Sequence, residues 1–198
     1  SVAIINALCI REGCEVKLFE TTQYSDEYDN KHIRMSELGA VRANKEEEVK
    51  DMFYIKPTDE IIPDFLACVS EYKPDIVLMS VQEDVWGIAT ILLDSIKHLE
   101  IPHILGGILP ISDPEFVIDH KLVNQICIYE GERVVIDAIN CLKNDKSIAG
   151  IKGTWHKDSD CKVHKNPPQP LANIMEVIPD FSCFEGIRWK RTMGGRIF

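Results

Sequence analysis

The chain has 198 residues and a formal net charge of −10, with 45% hydrophobic and 27% charged residues, so it fits one ordinary globular domain plus an appendage. The acidic balance excludes a nucleic-acid surface, which needs clustered Lys and Arg, and no window reaches the ~18 apolar residues that span a bilayer. Seven cysteines, odd in number and without a regular framework, point to a reducing compartment, with the cytoplasm as the expected location.

Residues 2–11 carry Ile4, Ile5, Leu8 and Cys9 at helical spacings, and Gly13 stops the pattern. Residues 15–20 then alternate and read as a strand. Helix, glycine, strand is the second half of a βα unit, so the first strand of the sheet is expected to be missing from this chain. The opening residues do not read as a secretory signal. Residues 21–56 form a long polar stretch, with a short strand expected at 52–55 and Glu46-Glu47-Glu48 as a solvated face. Ile61, Ile62, Phe65, Leu66 and Val69 predict a helix over 58–72, with Pro63 near its first turn.

Three strand-like runs follow at regular spacing, over 74–80, 101–107 and 125–132, each ending in small or polar residues. Between and after them lie helical patterns over 84–99, 114–118 and 132–142. That alternation is the signature of βα units on a parallel sheet. Beyond residue 146 the composition changes. Residues 153–164 read as a β-hairpin with a polar tip, and Asn166-Pro167-Pro168-Gln169-Pro170 favours extended geometry. The expected organisation is an α/β domain over 1–146 and a hairpin plus linker over 147–198. In open α/β sheets ligands bind beyond the carboxyl ends of the strands. The three turns after the strand runs should therefore form one rim.

On that rim stand Ser80-Val81-Gln82, then Gly106-Gly107-Ile108-Leu109-Pro110, then Tyr129-Glu130-Gly131-Glu132-Arg133. In this order and spacing the set resembles the N-terminal cobalamin-binding domain of radical S-adenosylmethionine enzymes, over most of the chain. The resemblance implies a flavodoxin-like or Rossmann-like doubly wound parallel sheet. It also implies a corrin cofactor held by Ser80, Val81, Gln82, Gly106, Gly107, Ile108, Tyr129, Glu130 and Gly131. Residues 171–184 look like the family's linker into its catalytic barrel. The S-adenosylmethionine and the 4Fe–4S cluster would belong to that barrel, since no Cys-x-x-x-Cys-x-x-Cys occurs here. The parent would be a methyltransferase or an anaerobic cyclase, and this part would not catalyse alone.

Each rim residue also has a plainer reading. Gly106-Gly107 either lets a flat ligand approach the backbone or makes a tight turn at positive φ. Ser80 either bonds the cofactor's nucleotide tail or ends a strand. Glu130 and Glu132 either line the site or complement a helix dipole. No Asp-x-His-x-x-Gly occurs to ligate cobalt, and the only histidine placed near the rim, His32, is expected in solvent. No Cys-x-x-Cys supports a zinc site, and no Gly-x-Gly-x-x-Gly or Walker lysine supports a nucleotide site. A corrin-free interaction domain of the same shape and an unrelated nucleotide-binding α/β enzyme stay open as alternatives.

Overall fold

The computed structural model describes residues 2–21, 24, 56–173, 177–184, 192–193 and 196–197. These divide into two compact units, one of residues 1–17 and 69–183, the other of residues 18–68 and 184–198. His32, the strand expected at 52–55 and most of the polar stretch lie outside the described residues.

In the first unit, helix α1 (Val2–Arg11) buries Ala3, Asn6, Leu8 and Cys9. Gly13, at φ +76°, ends it; its N–H donates to the carbonyl of Ile10 (2.9 Å) and that of Cys14 to Cys9 (2.9 Å). Residues 14–20 carry no strand, although their alternation predicts one. Alternation specifies a half-buried extended segment, but a strand also needs a ladder partner, and no described strand pairs with it. Val16 is nevertheless packed with Ile5 and Cys14 beside Cys9, Val135 and Ile139. Helix α2 (Ile61–Tyr72) follows a 3-10 turn (Thr58–Glu60); only its last residues, from Val69, belong to this unit.

The sheet has five strands in sequential order: β1 (Val77–Ser80), β2 (His103–Gly106), β3 (Gln125–Cys127), β4 (Thr154–Lys157) and β5 (Val163–Lys165). The first three are parallel, with Val77 opposite His103, Ser80 opposite Gly106 and Leu105 opposite Ile126. β4 runs antiparallel to β3, placing Ile126 opposite Trp155, and β5 antiparallel to β4. The β4–β5 pair is therefore part of the main sheet, and the fold is an α/β sheet of mixed direction, compatible with a Rossmann-like arrangement.

Successive side chains of a strand point to opposite faces, and here each face has its own core. Leu105 and Ile126, both 0% exposed, join Val81, Leu93, Val117 and Trp155 on one face. That face is covered by α3 (Trp86–Ile96), α4 (Ile108–Ser112) and α5 (Pro114–Asp119). Ile104 and Cys127, next in sequence, join Val134, Ala138 and Ile151 on the other, under α6 (Gly131–Lys143). Each of the fully buried aliphatic side chains contributes about 1.5–3 kcal/mol. α1 packs on α6 through Cys9, Val135 and Ile139, and the Lys143 ammonium donates to the carbonyl of Glu12.

Helix α4 was not visible as a period. It has five residues with Pro110 in the middle, too short to show an apolar stripe. Asp113 starts α5 by accepting the N–H of Phe116 (3.2 Å), with Pro114 in the first turn. Across the sheet, Gln125 Nε2 donates to the carbonyl of Ile148 (2.9 Å) and to Thr154 Oγ1 (3.0 Å), so the one buried amide on β3 ties the loop before β4.

The second unit contains a small polar cluster. Tyr24 Oη donates to Asp64 Oδ2 (2.8 Å), and Lys56 is ion-paired with the same carboxylate. Burial first, then the bond to Asp64, pushes the Tyr24 hydroxyl up to about 12. Phe19 stacks on Tyr24 at 6.0 Å and meets Phe65 edge-on at 5.1 Å. β6 (Thr192–Met193) and β7 (Arg196–Ile197) form an antiparallel pair.

Candidate functional site

Because β1, β2 and β3 are adjacent and parallel, their carboxyl ends leave the sheet side by side. The turns at Ser80–Gln82, Gly106–Ile108 and Ile128–Gly131 are thus neighbours along one edge. Nothing in the intervening sequence needs to bring them together; the strand order does it.

The first two turns interlock through backbone. Val81 N–H donates to the carbonyl of Gly106 (2.8 Å), and the N–H of Leu109 donates to the carbonyl of Val81 (3.1 Å). Gly107 adopts φ +99° and ψ −168°, a region that L side chains essentially do not visit. A Cβ on Gly107 would lie 2.7 Å from Val81 N and 2.7 Å from Val81 O, and 3.2 Å from Ser80 Oγ. The glycine is therefore required by the close approach of the neighbouring turn. At Gly106 a Cβ would meet only Cys127 Cβ at 3.8 Å, an ordinary contact. Val81 is 1% exposed and its side chain belongs to the core, whereas Ser80 and Gln82 are exposed. Ile108, the first residue of α4, is 66% exposed.

The third turn is held by side chains. Cys127 Sγ donates to the carbonyls of Tyr129 (3.3 Å) and Glu130 (3.7 Å) from beneath the turn. Burial pushes this thiol above the ordinary range, so it stays protonated and serves as a donor. Tyr129 is exposed; Glu130 Oε2 accepts the N–H of Ala172 (3.0 Å). Gly131 opens α6, and a Cβ there would meet Ile5 of α1 at 3.5 Å. Glu132 is buried at the helix start.

Of the nine residues singled out in the sequence, Ser80, Gln82, Ile108, Tyr129 and Glu130 present exposed side chains on this edge. Val81, Gly107 and Glu130 each have a contact within the chain, and Gly106 and Gly131 leave ordinary space before Cys127 and Ile5. The sequence did not single out Cys127 as the residue under the third turn; a thiol at the end of an apolar run reads as core. Among the described residues no group of three or more His, Cys, Asp or Glu is placed to hold a metal ion. No described helix is long and apolar enough to cross a membrane.

A flat, amide-fringed macrocycle fits this edge in kind. Ser80 and Gln82 offer hydrogen-bonding groups, Ile108 and Tyr129 offer exposed apolar surface, and Gly107 keeps the second turn low. None of these nine supplies an imidazole.

No family model matches the chain, and no curated protein matches it. Solved structures do. With OxsB, a cobalamin-dependent S-adenosylmethionine radical enzyme, in its aqua-cobalamin form, the chain shares 26% identity at a TM-score of 0.50. That match covers 58% of this chain and 16% of that one. In the form also holding S-adenosylmethionine the values are 25% and 0.53, covering 63% and 18%. With the radical S-adenosylmethionine methyltransferase TsrM from Kitasatospora setae, bound to cobalamin and a 4Fe–4S cluster, identity is 15% and the TM-score 0.58. That likeness, over 89% of this chain and 27% of TsrM, is one of fold alone. The chain thus spans about a sixth to a quarter of the length of these proteins. Over 58–63% of its length the chain is similar to a radical S-adenosylmethionine enzyme solved with cobalamin bound, of the family that its ordered set of turns resembles in sequence.

Proposed function

We propose that this chain is the cobalamin-binding part of a radical S-adenosylmethionine enzyme. The observation that carries the reading is the alignment of the three turns on one parallel edge, with the Ser80–Val81 and Gly106–Gly107 turns locked together. The likeness to OxsB, solved with aqua-cobalamin, supports it. In this reading Ser80 and Gln82 meet the polar periphery of the corrin, Ile108 and Tyr129 its apolar faces, and Gly106-Gly107 leave room for its approach. Bound cobalamin supplies a cobalt centre that carries a methyl group or assists radical chemistry; the protein supplies placement and exclusion of water. The 4Fe–4S cluster and S-adenosylmethionine belong to a barrel in the same parent protein, of methyltransferase or anaerobic-cyclase type. The unit described here binds and orients; it does not react alone. A doubly wound sheet and a cytoplasmic setting belong to the same reading.

The test is direct. Purified protein is mixed with hydroxocobalamin, desalted, and its visible spectrum recorded. Retained corrin absorbance at near one equivalent is expected, reduced in Ile108→Lys. A folded protein with a clean spectrum would end the proposal.

One second reading has its own support. Val81, Gly107 and Glu130 all have roles within the chain. A corrin-free interaction module would keep those three for contacts within the chain. The same spectrum separates the two.

A further inference from the structure

Past β5 the chain runs back along its own unit. Gly153 N–H donates to the carbonyl of Pro167 (2.8 Å), Gln169 Nε2 donates to Asp137 Oδ2 (2.9 Å), and Ala172 N–H donates to Glu130 Oε2 (3.0 Å). Further on, Asp180 N–H donates to the carbonyl of Ala3 (3.0 Å). Asn6 Nδ2 donates to both the carbonyl (3.1 Å) and the carboxylate (3.0 Å) of Asp180, from a side chain in a residue only 2% exposed. That carboxylate also accepts the N–H (2.8 Å) and hydroxyl (2.5 Å) of Ser182. Asp137 and Glu130 belong to α6 and its leading residue, and Ala3 and Asn6 to α1.

We propose that residues 166–173 and 177–182 form a strap pinned along α6 and α1, and that Glu130 is the positioning residue joining this strap to the third rim turn. Two independent features support the strap. Gly153 has φ +79°, and a Cβ on it would lie 3.3 Å from Gln169 Cβ, so the glycine is suited to the strap lying over it. The buried amide of Asn6 is directed at Asp180, where an apolar residue would otherwise suit the inner face of α1. As for Glu130, an ionised carboxylate accepting a backbone N–H is a strong, directional anchor, and the same residue carries the carbonyl that Cys127 holds. Movement of the third turn is thereby transmitted to Ala172, and the chain leaves this unit from α1 rather than from the hairpin. Glu130 is, on this reading, not a ligand contact.

Amide hydrogen exchange on the whole chain, without cobalamin, tests this in wild type, Glu130→Ala and Glu130→Gln. In Glu130→Ala the Ala172 amide should exchange at least about fivefold faster, as expected for loss of one anchoring bond. In Glu130→Gln it should stay near wild type, because the carboxamide oxygen accepts the same bond. The Asp180 amide, anchored separately on Ala3, should not change in either. Equal Ala172 rates in wild type and Glu130→Ala would overturn the anchor, and an unprotected Asp180 amide in wild type would overturn the strap. Cobalamin retention is read separately. If Glu130→Gln loses retention while Ala172 stays protected, Glu130 is a ligand contact and the positioning role falls. If wild type retains no cobalamin, the proposed function falls while the exchange result still decides the strap.

Discussion

The first two turns of the rim and the third are built by different means. Ser80–Val81 and Gly106–Gly107 are joined backbone to backbone, with Gly107 in a conformation closed to other residues and no room for a Cβ. Tyr129–Gly131 hangs on a thiol and a carboxylate, and its glycine has ordinary space around it. A backbone lock tolerates almost nothing at its contact point, whereas a side-chain tether can be exchanged piece by piece. The first part of the rim should therefore behave as scaffold and the third as an adjustable edge.

Gly107→Ala is the strongest challenge to that contrast. Strain at the glycine-only conformation plus displacement of Val81 should destabilise by about 3–5 kcal/mol. Urea unfolding reads it, and an unchanged midpoint would remove the lock from the account. Cys127→Ala on the third turn should cost less, about 1–2 kcal/mol for the lost bonds and small cavity. A loss as large as that of Gly107→Ala would erase the difference between the two turns.

Acidification probes the base of the sheet. Burial holds His103 below its ordinary value, and its Nε2 accepts the N–H of Asn124 (3.2 Å), which needs the neutral ring. His156 is held down by burial and then by His164, stacked on it at 4.7 Å. For a base with a lowered folded pKa the unfolded chain binds the proton first, so stability falls as pH drops through the ordinary histidine value of about 6.5. Asp158 and Asp180 are depressed carboxylates, held down chiefly by His164 and by Ser182. Their contribution is present above the ordinary aspartate value and is lost as pH falls through their lower folded values. Unfolding midpoints across pH should thus decline in two stages, and His103→Gln should flatten the upper one. A flat profile from pH 7 to 5 would contradict this.

The smallest effects are the sharpest controls. Gly106→Ala should change stability by less than about 0.5 kcal/mol, since its Cβ meets only ordinary contact. If it matches Gly107→Ala, positive φ and the Val81 contact are not what distinguishes the two glycines. Ile108→Ser, at a highly exposed position, should be neutral within about 0.5 kcal/mol while lowering cobalamin retention.

Much of the rim could be read from the residues because it depends on strand order and on turns, both local signals. Ser80, Gly106-Gly107 and Gly131 fall at strand ends whose βα rhythm is periodic. What could not be read was set by distant neighbours. The alternation at 15–20 specified burial, which Val16 finds, but not a ladder partner. The joining of β4 to β3 depends on Ile126 meeting Trp155, which no local pattern encodes. Helix α4 hid in five residues. Cys127 looked like any small apolar residue, and the Glu130 to Ala172 bond joins positions 42 apart.

The contact of Asn6 with Asp180 spans 174 positions. On a ribosome, α1 emerges long before the residue that receives its inward N–H donor has been added. Until then that amide must keep water, so the helix cannot settle fully against its final neighbours, and closing so long a loop comes late in ordering the unit. Shortening the protein at residue 179 would leave the same polar group facing the interior with nothing to receive it. The first helix, and not only the cut end, would be the place where damage shows.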